Sequence, residues 1–303
     1  MTVLSSGLTY VDLNFRGRAK AIATAVVAGA GQTALIDPGP TSCLERLEEG
    51  LHARGVSLRD VTHLLLTHIH LDHAGAAGTI VARQPHVTVL VHERGAPHLI
   101  DPAKLLESAT RLYGDDMDRL WGAFVAVPAA NVRALAGGER LDVAGRTFDV
   151  AYTPGHASHH VSYFDPSSGI AFVGDTAGVC VDSGYVLPPT PPPDIDIEAW
   201  TASAARIAAW QPQTLFLTHF GPSTFPPSTH LQMLLDNLQT TSALARATLA
   251  EEGTDDERRE KFAHVVRREL RRQMTDSQVA SYGVAAPFEM LWLGLARYWR
   301  KRG

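Results

Sequence analysis

One short stretch of the sequence decides the fold: Thr67-His68-Ile69-His70-Leu71-Asp72-His73-Ala74-Gly75. It places four side chains that can bind a metal ion within six residues. In extended backbone, residues i and i+2 point to the same side, so His68 and His70 can converge on one metal ion. Asp72 and His73 lie beyond the strand and can turn towards a second one. Solvated histidines in a polar loop do not need this spacing, so the stretch predicts a metal site.

The segments on either side of this stretch supply the structural context that such a site needs. Residues 61–67 form a short apolar run that is typical of a buried strand, whereas residues 73–83 are rich in alanine and predict a helix. Three more candidate ligands each come directly after a strand-like run farther along the chain: His156, Asp175 and His219. Because loops at one edge of a sheet bring distant residues together, we expect these three to face the same site.

In their order and spacing these residues resemble the metallo-β-lactamase superfamily, over roughly residues 20–225. The resemblance implies an α/β protein with a four-layer αββα sandwich and metal ions at one edge of it. It also implies the ligands of each metal: His68, His70 and His156 for the first, Asp72, His73 and His219 for the second, and Asp175 as the bridge between them.

The stretch around His156 is most similar to the glyoxalase II and lactonase branch of that superfamily. It reads Tyr152-Thr153-Pro154-Gly155-His156-Ala157-Ser158-His159-His160-Val161-Ser162-Tyr163. His159 stands where those relatives carry glycine, and only His160 matches their pattern. Two interpretations of His159 stay open from the sequence: it lines the substrate pocket, or it braces the following hairpin together with His160.

Imidazole and carboxylate ligands without a thiolate suit Zn, Mn or Fe, and we take two divalent ions with Zn as the default. Such a pair activates a water, and the hydroxide it yields attacks an acyl carbon. Asp72 is the expected catalytic residue, as a ligand that also orients the hydroxide. The sequence therefore predicts a dinuclear metal-dependent hydrolase of a thioester, lactone or ester. The alternatives are a mononuclear iron enzyme resembling sulfur dioxygenases, a phosphodiesterase or nuclease of the same fold, and a non-catalytic metal-binding protein.

The composition excludes several other classes of protein. The chain has 303 residues, 45% of them hydrophobic and 19% charged, which is not typical of disordered, collagenous or coiled-coil chains. Its net charge of −5 argues against a nucleic-acid partner, and we expect a small-molecule substrate. We expect no membrane partner and a cytoplasmic location, because no signal peptide or long apolar run is recognisable and only two cysteines occur. A homo-oligomer is left open.

The chain is expected to divide near Phe225-Pro226-Pro227, into a metal hydrolase domain at 1–226 and an all-helical C-terminal subdomain at 227–303. Ahead of that boundary, residues 179–196 predict a proline-stiffened loop. Two interpretations stay open: the loop walls the substrate pocket, with Tyr185 and Val186 as lining residues, or it is an ordinary connection pinned by prolines. His230, in the helical part, is expected at the surface.

Overall fold

The computed structural model of the chain describes residues 3–181 and 184–303. Within these ranges the strands form two sheets, each in the order of its strands in the sequence. The first sheet contains β1 (Val3–Ser5), β2 (Leu8–Asp12), β3 (Ala23–Gly29), β4 (Gln32–Ile36), β5 (Val61–Leu65), β6 (Thr88–His92) and β7 (Val132–Leu135). The second contains β8 (Arg140–Val143), β9 (Arg146–Tyr152), β10 (Val161–Asp165), β11 (Ile170–Phe172), β12 (Thr214–Leu217) and β13 (Gly221–Pro222).

The α-helices of the described residues fall into three groups along the chain. Those of the first half are α1 (Leu44–His52), α2 (Leu71–Ala74), α3 (Ala77–Arg83), α4 (Ala96–Ile100), α5 (Ala103–Tyr113) and α6 (Met117–Trp121). A single helix, α7 (Ile197–Ala209), follows the proline-rich loop. The last group is α8 (Pro227–Leu249), α9 (Asp255–Arg271), α10 (Asp276–Ala285) and α11 (Phe288–Arg300), which confirms the predicted helical extension.

The two sheets pack face to face and carry helices on their outer faces. Two neighbouring residues of β5 show this arrangement, because successive side chains of a strand point to opposite faces of the sheet. Leu64 packs outward with Leu47 of α1, whereas Leu65 packs inward with Phe148 of the second sheet. On the far side, Ile207 of α7 packs against the outer face of the second sheet. The predicted αββα sandwich is therefore confirmed, and strands buried on both faces explain why these segments read as unbroken apolar runs.

The directions of the strands place the loops that carry the candidate ligands at one edge. In the first sheet β4, β5 and β6 are parallel, so their carboxyl ends coincide. In the second, β9 and β11 are both antiparallel to β10, and β12 is parallel to β11. The carboxyl ends of β9, β11 and β12 therefore also share an edge, and His156, Asp175 and His219 follow these three strands.

The helical extension packs against the rest of the chain through a hydrophobic core of its own. Val186, Leu187 and Trp200 belong to this cluster together with Phe262 and Trp292 of the extension. Residues on both sides of the predicted boundary at 226 thus contribute to one core, and the division at that residue stays a prediction.

His230 of α8 is buried, so the expectation of a surface position is wrong. Its Nε2 donates to the carbonyl oxygen of Ala177 at 2.8 Å, and its Nδ1 lies 2.9 Å from Ser223 Oγ. Helical periodicity places His230 on the face of α8 that packs against the sandwich, and both of its polar atoms find partners there.

Within the described ranges, no single helix is long and apolar enough to cross a membrane. The length and composition needed for such a span are reached only when two helices are taken together, Asp276–Ala285 and Phe288–Arg300. This pair is bent by 52°. Most of the apolar side chains of α11 are buried in the helical core.

A backbone contact fixes α11 on the proline-rich loop and gives a stability prediction. A Cβ at Gly294 would lie 2.1 Å from the carbonyl oxygen of Thr190, whereas one at Gly283 of α10 would make an ordinary 3.6 Å contact with the Phe288 ring. We expect Gly294→Ala to destabilise the protein by about 1–3 kcal/mol through overpacking. Gly283→Ala should be neutral or stabilise by up to about 1 kcal/mol, because alanine favours helix. Urea unfolding of both variants measures this, and equal midpoints would contradict it.

Candidate metal centre

The structure brings all seven predicted side chains together at the shared edge of the two sheets. The first group is His68, His70 and His156, from the loops after β5 and β9. The Nε2 atoms of His68 and His156 lie 2.9 and 3.0 Å from Nδ1 of His70. Three imidazole nitrogens therefore converge on one small volume.

The second group lies beside the first and consists of Asp72, His73 and His219. Oδ2 of Asp72 is 3.3 Å from Nε2 of His219 and 3.8 Å from Nε2 of His73. The short helix α2 begins directly after His70 and turns Asp72 and His73 away from the strand direction, as the sequence predicted.

Asp175 lies between the two groups and directs one carboxylate oxygen to each. Its Oδ2 is 3.3 Å from Nε2 of His156 in the first group. Its Oδ1 is 3.3 Å from Nε2 of His73 and 3.5 Å from Nε2 of His219 in the second. This is the position that a bridging carboxylate requires.

The hydrogen bonds on the far side of three rings fix which nitrogen carries the proton. Nδ1 of His156 faces the carbonyl oxygen of Pro189 at 2.8 Å, and Nδ1 of His219 faces that of Ala21 at 2.6 Å. Nδ1 of His73 faces Oδ2 of Asp37 at 2.8 Å. These oxygens only accept, so each Nδ1 donates its hydrogen, and each ring in its neutral form presents an Nε2 lone pair to the site.

The tautomer of His68 follows in the same way from its hydrogen bond with Thr67. The Thr67 hydroxyl donates to the Asp37 carboxylate at 2.7 Å, so it can only accept from Nδ1 of His68, 3.1 Å away. Nε2 of His68 is then also a lone pair. Since Nε2 of His156 is bare as well, two acceptors face Nδ1 of His70, which can offer at most one hydrogen.

Several buried polar atoms in the site have no hydrogen-bond partner among the described residues. They include Nε2 of His73, Nε2 of His219 and Oδ1 of Asp175. Buried polar atoms are rarely left unsatisfied, because each costs free energy. A divalent cation would satisfy these lone pairs, and nitrogen and carboxylate donors suit Zn, Fe or Mn. The residues present therefore fit the metal that the predicted fold implies.

The electrostatics of the two groups differ. Burial lowers the pKa of His70 to about 4 and also lowers the pKa values of His68 and His156, so these rings are neutral. Burial acts in the same direction on His73, but the carboxylates of Asp175 and Asp72 outweigh it and raise the pKa of His73 well above its usual value. A cation therefore binds the first group without displacing protons, whereas it competes with a proton at His73.

Asp37 is a residue of the site that the sequence analysis did not identify. It is fully buried, and its Oδ2 accepts hydrogen bonds from the hydroxyls of Thr67 and Thr218, both at 2.7 Å, and from Nδ1 of His73. Its Oδ1 accepts from the backbone N–H of Thr67 at 2.8 Å. The available signal was its position directly after β4, at the same sheet edge as the motif, but Asp37-Pro38-Gly39 reads simply as a turn.

The structure separates the roles of the two adjacent histidines whose interpretation was open. Nδ1 of His160 lies 3.0 Å from Thr153 Oγ1 and 3.1 Å from Thr176 Oγ1, so His160 braces the segments on either side of it. His159 lines a cavity beside the metal site. Burial lowers the pKa of His159 to about 3, so this ring is neutral.

That cavity has a volume of about 330 Å³ and reaches His70, Asp72 and Asp175. The proline-rich loop forms one wall, as the first interpretation of it required, but through different residues. The lining residues of the loop are Pro189, Pro191, Pro192, Pro193 and Asp194. Tyr185 and Val186, which that interpretation placed there, pack in the helical core instead, so that detail is wrong.

The other walls come from segments whose contribution the sequence analysis did not foresee. The helix α5 and the last residue of α6, Trp121, contribute apolar and aromatic side chains. The turn between α10 and α11 contributes Ala286 and Pro287, and α11 contributes Met290. The helical extension therefore shapes the site directly. Arg94 and Lys104 also line this cavity, and no sequence motif marks either of them.

The comparisons with known proteins agree with this geometry. The family model of the metallo-beta-lactamase superfamily matches residues 18–219, and the chain belongs to this superfamily. The metallo-beta-lactamase fold-containing protein ST1585 of Sulfurisphaera tokodaii is 29% identical over 199 residues, which are 65% of this chain and 71% of that protein. A hydroxyacylglutathione hydrolase from a Synechococcus species is 29% identical over 157 residues, 49% of this chain and 47% of that enzyme.

The matched region thus spans about half the length of that hydroxyacylglutathione hydrolase. Among solved structures, the metallo-beta-lactamase family protein TTHA1429 from Thermus thermophilus is similar over 99% of this chain and 95% of its own, with a TM-score of 0.74 and 23% identity. At this identity the likeness shows the fold. The fold and the donor set together imply that the centre binds a divalent metal.

Asp37 gives a test of how the centre is held. In Asp37→Asn, an amide N–H₂ group replaces Oδ2. This group faces the hydrogen on Nδ1 of His73, so it favours the other tautomer of His73, in which a hydrogen on Nε2 blocks the lone pair that faces the metal site. We expect a loss of about 1.5–3 kcal/mol in unfolding free energy, the range for one hydrogen bond to a charged group. Metal affinity should fall by about 10–100-fold. Urea unfolding and chelator competition measure the two effects.

The matched control is Asp142→Asn on β8, since Asp142 is exposed and accepts a hydrogen bond from Thr147 Oγ1. It should leave both quantities unchanged. An Asp37→Asn protein that keeps wild-type stability and metal affinity would show that Asp37 does not orient His73.

Proposed function

We propose that this chain is a metal-dependent hydrolase that binds two divalent metal ions and acts on a small acyl substrate, a thioester, lactone or ester. The observation that carries the proposal is Asp175, which directs one oxygen to each of two groups of histidine and carboxylate donors. In this proposal His68, His70 and His156 hold one ion, and Asp72, His73 and His219 hold the other. Zn is the default, and Fe and Mn also suit these donors.

The relatives support hydrolysis of an acyl compound. Several curated relatives are named hydroxyacylglutathione hydrolase, and they are 24–34% identical to this chain over parts of their length. A cavity of about 330 Å³ beside the donors is of a size for a small molecule. We also propose that no nucleic acid is bound, since the net charge of −5 repels polyanions.

When bound, the metal pair supplies an activated water and a Lewis acid for the substrate carbonyl. The chain itself positions the reacting groups. Asp72 is the proposed catalytic residue, because its side chain is 20% exposed to the cavity while Oδ2 lies 3.3 Å from Nε2 of His219, so it can orient a water there. Burial raises the pKa of Tyr113, which also lines the cavity, so its hydroxyl stays protonated and can donate to a substrate oxygen.

The number of metal ions tests the dinuclear proposal. Elemental analysis of protein purified without chelator should give close to two divalent ions per chain. In Asp175→Asn a neutral amide replaces the bridging carboxylate, so we expect about one ion to be lost and activity to fall by more than about tenfold.

The control for that variant is Asp165→Asn, because Asp165 is a buried aspartate of the same sheet that bonds Arg146, Ser167 and Ser168. This change should lower stability without changing the metal content. A stable value near one ion in the wild type, unchanged by added Zn or Mn, would favour the mononuclear iron alternative instead.

A substrate panel tests the class of reaction. With equal metal loading, we expect turnover of a glutathione thioester, a coenzyme A thioester or an acyl lactone. We expect little cleavage of bis-p-nitrophenyl phosphate or of a precursor RNA. Efficient RNA cleavage with inert thioesters and lactones would contradict the acyl substrate and leave the metal centre standing.

A further inference from the structure

Part of the cavity beside the metal centre is lined by apolar side chains. Leu105 and Leu112 of α5 line one side, and Met290 and Leu291 of α11 line another. These four side chains form an apolar part of the cavity wall. An aliphatic chain gains free energy roughly in proportion to the apolar area it buries, so this part of the cavity favours such a chain.

Two cationic side chains line the same cavity. Neither Arg94 nor Lys104 forms an ion pair with a carboxylate within residues 3–181 and 184–303, whereas Arg111 on the same helix as Lys104 pairs with Glu107 at 3.1 Å. Asp194, a carboxylate that also lines the cavity, accepts a hydrogen bond from Ser158 Oγ at 2.5 Å. The two cations are therefore available to a ligand.

Arg94 lies near an aromatic ring and forms no ion pair with an acid among the described residues. Its guanidinium lies 5.6 Å from the centre of the Tyr152 ring, a cation–π distance. Tyr152 in turn stacks on His92 at 4.3 Å, and its hydroxyl donates to the carbonyl oxygen of Ser158 at 2.8 Å. Because this contact involves no carboxylate, the guanidinium N–H groups remain for a carboxylate or phosphate, which arginine binds in a bidentate manner.

The position of Lys104 is not explained by helix stability. Lys104 lies in the first turn of α5, where the positive end of the helix dipole disfavours a cation. An anion bound beside Lys104 would be attracted by its charge and by the helix dipole alike. Arg94 and Lys104 thus both favour a negatively charged ligand.

We propose that the substrate is an amphipathic anion, an ester or thioester with an apolar chain that lies between α5 and α11 and with a carboxylate or phosphate that Arg94 and Lys104 bind. This proposal rests on the proposed hydrolase function, because it names the substrate class of the same site. It makes Arg94 and Lys104 the residues that determine specificity, and it assigns to the helical extension the recognition of the apolar chain.

Binding of non-hydrolysable thioethers tests the proposal without turnover. The probes are S-hexylglutathione, which carries carboxylates, S-hexyl-coenzyme A, which carries phosphates, and the uncharged S-hexyl-N-acetylcysteamine. Titration calorimetry of the metal-loaded protein should show that at least one charged probe binds at least about tenfold more tightly than the uncharged one, the difference expected for one or two charge-assisted contacts. Which charged probe binds more tightly identifies the anionic group.

Variants separate the anion site from general effects on folding. Arg94→Gln and Lys104→Gln should each weaken binding of the preferred charged probe by about 10–100-fold, equivalent to the usual worth of a hydrogen bond between charged groups. They should change binding of the uncharged probe by less than twofold. Arg94→Lys should recover part of the loss, and Arg111→Gln, the matched control outside the cavity, should bind like the wild type.

The apolar part of the proposal is tested with chain length. From S-butyl to S-octyl, affinity should rise by about two- to fourfold for each methylene until the cavity is filled. A flat series would overturn the assignment of the apolar wall. Equal affinity for charged and uncharged probes, or equal losses for both in Arg94→Gln and Lys104→Gln, would overturn the anion site.

Hydrolysis of the corresponding hexanoyl thioesters distinguishes this proposal from the one it rests on. Hydrolysis with the same KM for charged and uncharged thioesters in all variants would overturn the anion site and leave the hydrolase standing. Selective binding of the charged thioethers without hydrolysis of any thioester or lactone would instead overturn the hydrolase and leave the anion site standing.

Discussion

The metal centre depends on the buried carboxylate of Asp37, which joins three segments of the chain. It accepts hydrogen bonds from Thr67 after β5, from His73 in α2 and from Thr218 after β12. A buried charge is costly unless its lone pairs are satisfied, and here four hydrogen bonds satisfy them. Because these bonds fix the protons on His73 and, through Thr67, on His68, they also decide which nitrogens face the metal site.

The centre exists only when both sheets of the sandwich are in place. His68 and His70 follow a strand of the first sheet, whereas His156 and His219 follow strands of the second. An unfolded chain cannot bring these donors together, so metal binding and folding favour each other. Asp175 also links the two sheets, since its two carboxylate oxygens lie near different histidines. Oδ1 lies near His73, which follows a strand of the first sheet, and Oδ2 lies near His156, which follows a strand of the second.

Substrate recognition is organised differently from metal binding. The donors lie at strand ends, which a rigid sandwich holds in place, whereas the cavity walls come from α5, the proline-rich loop and the turn before α11. The loop and α11 are tied together by close contact of Gly294 with Thr190, whose hydroxyl donates to the carbonyl oxygen of Leu291 at 3.0 Å. A superfamily with one metal-binding scaffold can therefore take different substrates by changing these attached segments.

The sequence was enough to predict the sandwich fold and the seven side chains that meet at its edge. The motif at residues 67–75 and the candidate ligands after strand-like runs are local features of the sequence, and their resemblance to the superfamily implies both. Tertiary structure alone decided the role of Asp37, which reads as a turn residue until three distant donors surround it. It also decided which residues of the proline-rich loop face the cavity, since that orientation depends on contacts such as Thr190 with Leu291, 101 positions away. The place of Arg94 beside Tyr152 was decided in the same way, because a strand of the other sheet brings this ring within 5.6 Å of the guanidinium.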